Sequence, residues 1–292
     1  MSNIDEIIKS NNSNGKSFDK DSWVKKKQEE RAMAYKLMDE TADTISKDDS
    51  LFKMYLDIQG SFDKYSVGNC LLITSQMPNA TQIKDFEGWK EAGTFIKKNA
   101  KSITILEPGD QYTRVDGTVS TSYNPKKVFD ISQTNMKSKP RNVSMADKTK
   151  LTAILNECPV DVKVVDDISG TTRLAEWNKD DNVLYVRKNE DIHSTFVQLA
   201  QELARAGLET TGNTELDNFK SSCVAYMVCK KHSVDVANYD LKTIPDSMRN
   251  MTPSEIRNEL SSMRSTMEDI NSRISQHYEK MAKTPKNKDY ER

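Results

Sequence analysis

The sequence predicts an α+β fold in two parts. An N-terminal domain of helices and a small β-sheet is followed by a C-terminal α+β domain ending in a long amphipathic helix. Three observations carry the prediction. Apolar residues recur at helical spacing up to about Ala92, and from Phe95 to Ile131 the pattern changes to that of strands. A second succession of helix, strands and helices starts after a polar connector at residues 135–145 that contains Lys137, Lys139, Pro140 and Arg141. A heptad series of apolar residues then runs from Ile256 to Met281.

Residues 1–17 are polar, rich in Asn, Ser and Lys, and read as a disordered lead-in. The N-terminal domain spans residues 18–140. Trp23, Ala34, Leu37, Met38 and Ile45 mark an amphipathic helix over residues 21–45, and a second helix covers 51–59, with Gly60 near its end. A third starts near Tyr65 and stops before Pro78, whose ring and missing N–H cannot continue it. Residues 85–92 form a short helix carrying Trp89, closed by Gly93. Strands are expected at 95–98 and 102–106, the second ended by a Glu107-Pro108-Gly109-Asp110 turn, and again at 118–123 and 127–131.

The next domain, residues 146–250, opens with a helix at 146–156 and continues with strands at 160–165, 172–177 and 182–187. Helices follow at 194–208 and 214–231. Thr252-Pro253-Ser254-Glu255 is a capping box that starts the final helix, 252–283, and residues 284–292 are a tail. In that helix Ile256, Leu260, Met263, Met267, Ile270 and Ile274 are spaced 4, 3, 4, 3 and 4 apart. The seam suits either a dimerising coiled coil or a helix packed on its own chain; methionines specify a partner poorly, which favours self-packing.

Composition narrows the function classes. With 36% hydrophobic and 30% charged residues the chain reads as soluble, and no apolar run approaches the roughly 20 residues that span a bilayer. The first residues lack the basic and apolar regions of a signal peptide. Cys70, Cys158, Cys223 and Cys229 have no CxxC spacing, so neither a disulfide framework nor a zinc ribbon is expected, and the simplest compartment is the cytoplasm. The formal charge of −1 divides unevenly: residues 1–150 carry +3, residues 151–292 carry −4, and residues 97–150 alone carry +6. A basic middle segment is what contact with a phosphate backbone needs, although a solvated basic face has the same composition.

The most informative stretch is Gln201-Glu202-Leu203-Ala204-Arg205, inside the 194–208 helix. It has the outline of a zinc-peptidase helix, in which two histidines four apart face one metal and a glutamate stands beside the first. Gln201 and Arg205 occupy the two histidine positions, and only Glu202 remains. An amide is a poor zinc ligand, and a guanidinium carries a permanent charge that repels a cation. His193 lies eight residues before Gln201, about 12 Å along the axis, too far to join the same shell. Cys223, Cys229 and His232 form a C-x5-C-x2-H pattern in which Cys223 points away from the other two. No metal and no cofactor are expected. Arg205 is expected to stand where the metal would sit and to pair with Glu202 at i+3, or with Glu215 or Asp217 of the next helix. The plainer reading is an ordinary core helix with Glu202 partly exposed.

Tyr65-Ser66-x-x-Asn69-x-Leu71-Leu72-Ile73-x-x-Gln76-x-Pro78-x-Ala80-Thr81, then Phe86-x-x-Trp89-x-x-x-Gly93-x-x-Ile96-Lys97-Lys98 and Ile103-x-Ile105-x-x-Pro108, resembles the N-terminal domain of the ArdC-type antirestriction family. More narrowly, the whole chain resembles the LtrC-like proteins of conjugative elements. The resemblance is dense from about Asp63 to Pro108 and departs at Asn99-Ala100-Lys101-Ser102, where the family usually carries glycines. It implies a single-stranded-DNA-binding domain at 18–140 followed by a zincin-like metallopeptidase domain. It also implies a third, acidic metal ligand on the helix after the metal helix, a position that falls near Ser222 here. Gln201, Glu202, Arg205 and Ser222 thus make a degenerate metal site, and the domain is expected to be a pseudo-metallopeptidase with no catalytic residues.

Single-strand sites combine a cationic groove with aromatic faces for stacking. Lys64, Tyr65, Lys84, Trp89, Lys90, Lys97, Lys98 and Lys101 supply both ingredients, and Asn69 either meets a backbone phosphate or caps its neighbours. The competing place for Trp89 is the core, since it sits at helical spacing from Phe86. The expected function is a DNA-binding accessory protein of a conjugative or mobile element, antirestriction-like. Its partners would be single-stranded DNA and a host or element-encoded protein, with no membrane. An active zinc metallopeptidase acting on a host defence protein, or a protein-binding scaffold, are the competing classes.

Overall fold

Helix caps set the element boundaries in the computed structural model, which describes residues 20–136, 145–156, 158–168 and 170–283. The lead-in 1–17, most of the connector and the tail 284–292 lie outside the described residues. Three helices come first: α1 (Lys20–Ile45), α2 (Asp49–Ser61) and α3 (Val67–Gln76). Asp48 accepts from the Ser50 and Leu51 amides to start α2, and Ser66 accepts from the Asn69 amide to start α3. Then come β1 (Ile83–Lys84), α4 (Phe86–Glu91), β2 (Ile103–Thr113) and β3 (Val119–Asp130), which form an antiparallel sheet in the order β1-β3-β2.

The expected turn at Glu107–Asp110 is corrected: β2 runs straight through it, and a register shift between Pro108 and Gln111 absorbs the Pro-Gly pair as a bulge. Gly109 is needed there, because a Cβ would fall 2.5 Å from Asn124 Nδ2 and 2.7 Å from Ser122 Oγ. Likewise the two expected strands at 118–123 and 127–131 are one strand. Residues 95–98 contribute only a bridge from Ile96 to Thr134.

The second half holds α5 (Asp147–Asn156), β4 (Asp161–Val165), β5 (Ala175–Asn178), β6 (Val183–Arg187), α6 (Ile192–Gly207), α7 (Thr214–Lys231), α8 (Asp246–Arg249) and α9 (Pro253–Lys283). Its sheet has the order β4-β6-β5, with β4 parallel and β5 antiparallel to β6. The fold class is therefore α+β, with a long C-terminal helix. The Thr252 amide donates to Glu255 Oε2 (2.8 Å) and the Glu255 amide to Thr252 Oγ1 (3.4 Å), which is the capping box read from the sequence.

The core is centred on α7, whose residues 219–229 are all buried. A helix buried on every side belongs in the middle of a fold, and α7 packs against α2, α6 and α9, its buried Lys220 paired with Glu259. Along α9, Ile256, Leu260, Met263, Met267, Ile270 and Ile274 are buried within the chain itself, against α7, α5, α1, α6 and α3. One buried cluster runs through both halves. Ion pairs cross between them as well: Asp49 meets Arg249 (2.9 Å), Asp57 meets Lys230 (2.9 Å), Asp63 meets Lys231 (2.8 Å), and Asp39 meets Arg257. The four cysteines are free thiols, with Cys70, Cys223 and Cys229 buried. Among the described residues no helix is long and apolar enough to cross a membrane.

Candidate functional site

An open groove of about 660 Å³ lies between α3, α4 and the β2–β3 ribbon. Lys64, Tyr65, Asn69 and Lys84, four of the residues singled out in the sequence, line it together with Pro108, Tyr123 and Lys126. Tyr65 is half-buried, its ring meeting Phe62 edge-on at 5.8 Å, while Tyr123 is 40% exposed. Lys64 is exposed. Lys126 is held between Asp85 (2.9 Å) and Glu107 (3.0 Å). The hydrogen bonds to Asp85 and then Glu107 raise the Lys126 pKa, and the bond to Lys126 is the main cause lowering that of Asp85.

The other candidates lie elsewhere. Trp89 is corrected to a core residue: it is 1% exposed, its Nε1–H donates to the Phe129 carbonyl (2.8 Å), and Lys84 Nζ sits 5.6 Å from its ring centroid. A ring closed in this way has no free face for a base. Lys90 is exposed beside Glu87 (3.6 Å). Lys97, Lys98 and Lys101 are exposed on the segment before β2 and do not line the groove, and Lys97 Nζ donates to the Ser132 carbonyl (2.8 Å).

Asn69 is corrected too. Its Nδ2 donates to the Leu106 carbonyl and its Oδ1 accepts from the Leu106 amide, both at 2.8 Å. About two turns further on along the same helix face, Gln76 treats Thr104 in the same way, each bond 2.9 Å. Two side-chain amides of α3 thus stand in for a neighbouring strand along the edge of β2, so Asn69 builds the groove wall rather than meeting a ligand. Tyr123 and Lys126 were not anticipated. The only signal for them is the hairpin register, which sets Tyr123 opposite Pro108 and Lys126 opposite Ile105.

Gln201, Glu202 and Arg205 lie on α6. Glu202 is 4% exposed, not partly exposed as the plainer sequence reading had it, and it is not an unsatisfied group. Its Oε2 accepts from the Trp177 amide on β5 (3.1 Å), and its Oε1 faces Arg205 Nη1 (3.5 Å) and Arg173 Nη1 (3.6 Å). Burial raises the Glu202 pKa in spite of Arg205, the Trp177 amide and Arg173, which all lower it. Arg205 Nη2 then donates to Asn218 Oδ1 on α7 (3.0 Å). The partner on the next helix is therefore Asn218, not Glu215 or Asp217; Asp217 is already held by Thr210 and Thr211.

Gln201 and Ser222 face a different space, a polar cleft of about 510 Å³ that also contains His193, Asp235 and Tyr239. Tyr239 Oη donates to the Ser222 carbonyl (2.8 Å) and lies 3.3 Å from its Oγ. Gln201, Glu202, Arg205 and Ser222 are thus split between a buried ion network and a solvent-facing cleft. This donor set does not fit a zinc ion, which needs three anionic or imidazole ligands around one point. Cys223 and Cys229 are buried and His232 Nε2 bonds Asn271 Oδ1 (3.1 Å). Among the described residues no cluster of three or more His, Cys, Asp or Glu side chains is placed to hold a metal.

No family model matches the chain, and no curated protein matches it. Similar solved structures include two crystal structures of the antirestriction protein ArdC from plasmid R388, one metal-free and one Mn(II)-bound. They are 12% and 11% identical, each aligned over 73% of this chain and over 86% and 84% of theirs, both with a TM-score of 0.49.

Proposed function

We propose that this chain is an accessory protein of a conjugative or mobile element, antirestriction-like, that holds single-stranded DNA in the groove between α3, α4 and the β2–β3 ribbon. The observation that carries the reading is the pairing of two accessible tyrosines, Tyr65 and Tyr123, with Lys64 and Lys84 around one open groove. Bases would stack on the ring faces, each worth about 1–3 kcal/mol, and the strand's phosphates would run past the lysines. Asp85 and Glu107 neutralise Lys126, so Lys64 and Lys84 supply the free positive charge. The ArdC-type sequence pattern, with Asn69 in the wall of this groove, points to the same half of the chain.

The test is binding of a labelled oligothymidylate by the full chain over a salt series. Tyr65→Ala should weaken binding by about tenfold or more, the equivalent of one lost stack. Lys64→Glu should lower the slope of log affinity against log salt by about 0.7, one phosphate contact on a single strand. Lys97→Glu with Lys98→Glu tests whether the strand continues beyond the groove. Unsubstituted chain that binds no oligonucleotide, or variants that bind like it, would sink the reading.

The second half is proposed to be a pseudo-metallopeptidase. Its support is chemical: Glu202 is pinned between an amide and two guanidinium groups, with no metal ligand beside it to activate water. Stoichiometric zinc in the purified protein, or peptidase activity lost on chelation, would overturn this.

A further inference from the structure

The loop that presents Lys64 and Tyr65 to the groove is held from the other end of the chain. Arg264, on α9, donates from Nε to the Tyr65 carbonyl (2.8 Å) and from Nη2 to the Asp63 carbonyl (3.3 Å). Glu268, one turn on, orients the same guanidinium at 3.1 Å. Gln59 Nε2 adds a second donor to the Tyr65 carbonyl (3.3 Å), and Lys231 of α7 fixes the nearly buried Asp63 side chain at 2.8 Å. A charged donor on a backbone carbonyl is among the stronger protein hydrogen bonds, and here it falls on the residue whose ring lines the groove.

From this geometry we infer that Arg264 is a positioning residue for the groove: it fixes residues 62–66 so that Lys64 and Tyr65 stand ready for a strand. The inference rests on the single-strand reading given above. It makes the docking of α9 and the occupation of the groove two ends of one equilibrium, so each strengthens the other. Arg264 itself does not line the groove, so it contributes no phosphate contact.

The experiment compares the full chain with Arg264→Gln, using a fluorescein-labelled oligothymidylate and amide hydrogen exchange over residues 62–66. The control is Arg249→Gln. Arg249 clamps the two halves in the same manner, donating to the Lys47 carbonyl (2.7 Å) and Asp49 (2.9 Å), but away from the groove lining. In Arg264→Gln the loop should exchange faster and affinity should fall about tenfold, with the salt slope unchanged because no phosphate contact is lost. Arg249→Gln should bind within about twofold of the unsubstituted chain. Loop exchange or affinity that stays put in Arg264→Gln overturns the inference, as does a lower salt slope, which would mark direct contact. Equal weakening by Arg249→Gln also overturns it, since general destabilisation would then suffice. Failure of the unsubstituted chain to bind overturns the groove reading itself, and is told apart because it needs no variant.

Discussion

Glu202 offers a direct test of what a buried carboxylate between two arginines contributes. Its carboxyl is 4% exposed and takes one backbone hydrogen bond, from the Trp177 amide, while Arg173 and Arg205 stand at 3.6 and 3.5 Å. Those arginine side chains are 43% and 25% exposed, so water screens much of their attraction, and burial raises the carboxyl's pKa on balance. A raised folded-state pKa means that the fold prefers the neutral acid. The corresponding stability is fully present below the ordinary value of 4.5 and is lost as pH rises through the folded value. Glu202→Gln imitates the neutral acid and keeps an acceptor for Trp177, so at pH 7 it should equal or exceed the unsubstituted chain in stability. Glu202→Ala removes the acceptor and strands the buried amide of β5, at a cost of about 2 kcal/mol. Urea unfolding at pH 4.5 and pH 7 measures both. The advantage of Gln over Glu should grow with pH. A Gln variant that loses more than about 1.5 kcal/mol at pH 7 would mean that the ion pairs outweigh burial, and the argument would fail.

Burial depresses the pKa of His232 to about 4, against an ordinary 6.5, and the hydrogen bond it makes to Asn271 Oδ1 only partly offsets it. Stability should therefore decline as pH falls from about 6.5 towards 4, by roughly 3 kcal/mol in all; His232→Phe should flatten that acid limb, and an unchanged limb counts against the assignment. Asn69→Leu leaves the Leu106 amide and carbonyl unpaired, so it should cost about 2 kcal/mol in urea unfolding yet leave the salt slope of strand binding intact. Truncation before Thr252 strips the cover from α7, and the remaining chain should bind a hydrophobic dye and lose its cooperative transition; a sharp thermal transition in it would contradict the packing described.

Helices were legible in the sequence because their apolar spacing and their caps agree, as at Thr252 and Glu255. The β2–β3 ribbon was misjudged for a physical reason. Pro108-Gly109 has the chemistry of a turn, but on an edge strand the missing N–H costs no ladder bond, and the pair becomes a bulge. Trp89 and Asn69 show the limit at side chains. Spacing places both on a helix, but only the neighbouring strand decides that the indole must face Phe129 and the amide Leu106. Tyr123 was missed because its place beside Tyr65 follows from a strand register that composition does not encode.

The α6–α7 pair shows why the pairing of Arg205 with Glu202 could be anticipated and the partner of Arg205 on α7 could not. The two helices run antiparallel: moving four residues forward along α6, from Gln201 to Arg205, means moving four back along α7, from Ser222 to Asn218. That register alone puts Asn218 under the guanidinium and leaves Asp217 to the loop before α7. A shared metal would tie two such helices by taking ligands from both. Here Glu202 anchors Arg205 within α6, Arg205 reaches across to α7, and the same carboxylate reaches back to β5 through Trp177. Three elements meet at one buried carboxylate and one half-buried cation, with a permanent charge that no change of pH near neutrality removes. The tie needs no ion to be loaded. It also leaves the Glu202 carboxylate fully engaged within the fold.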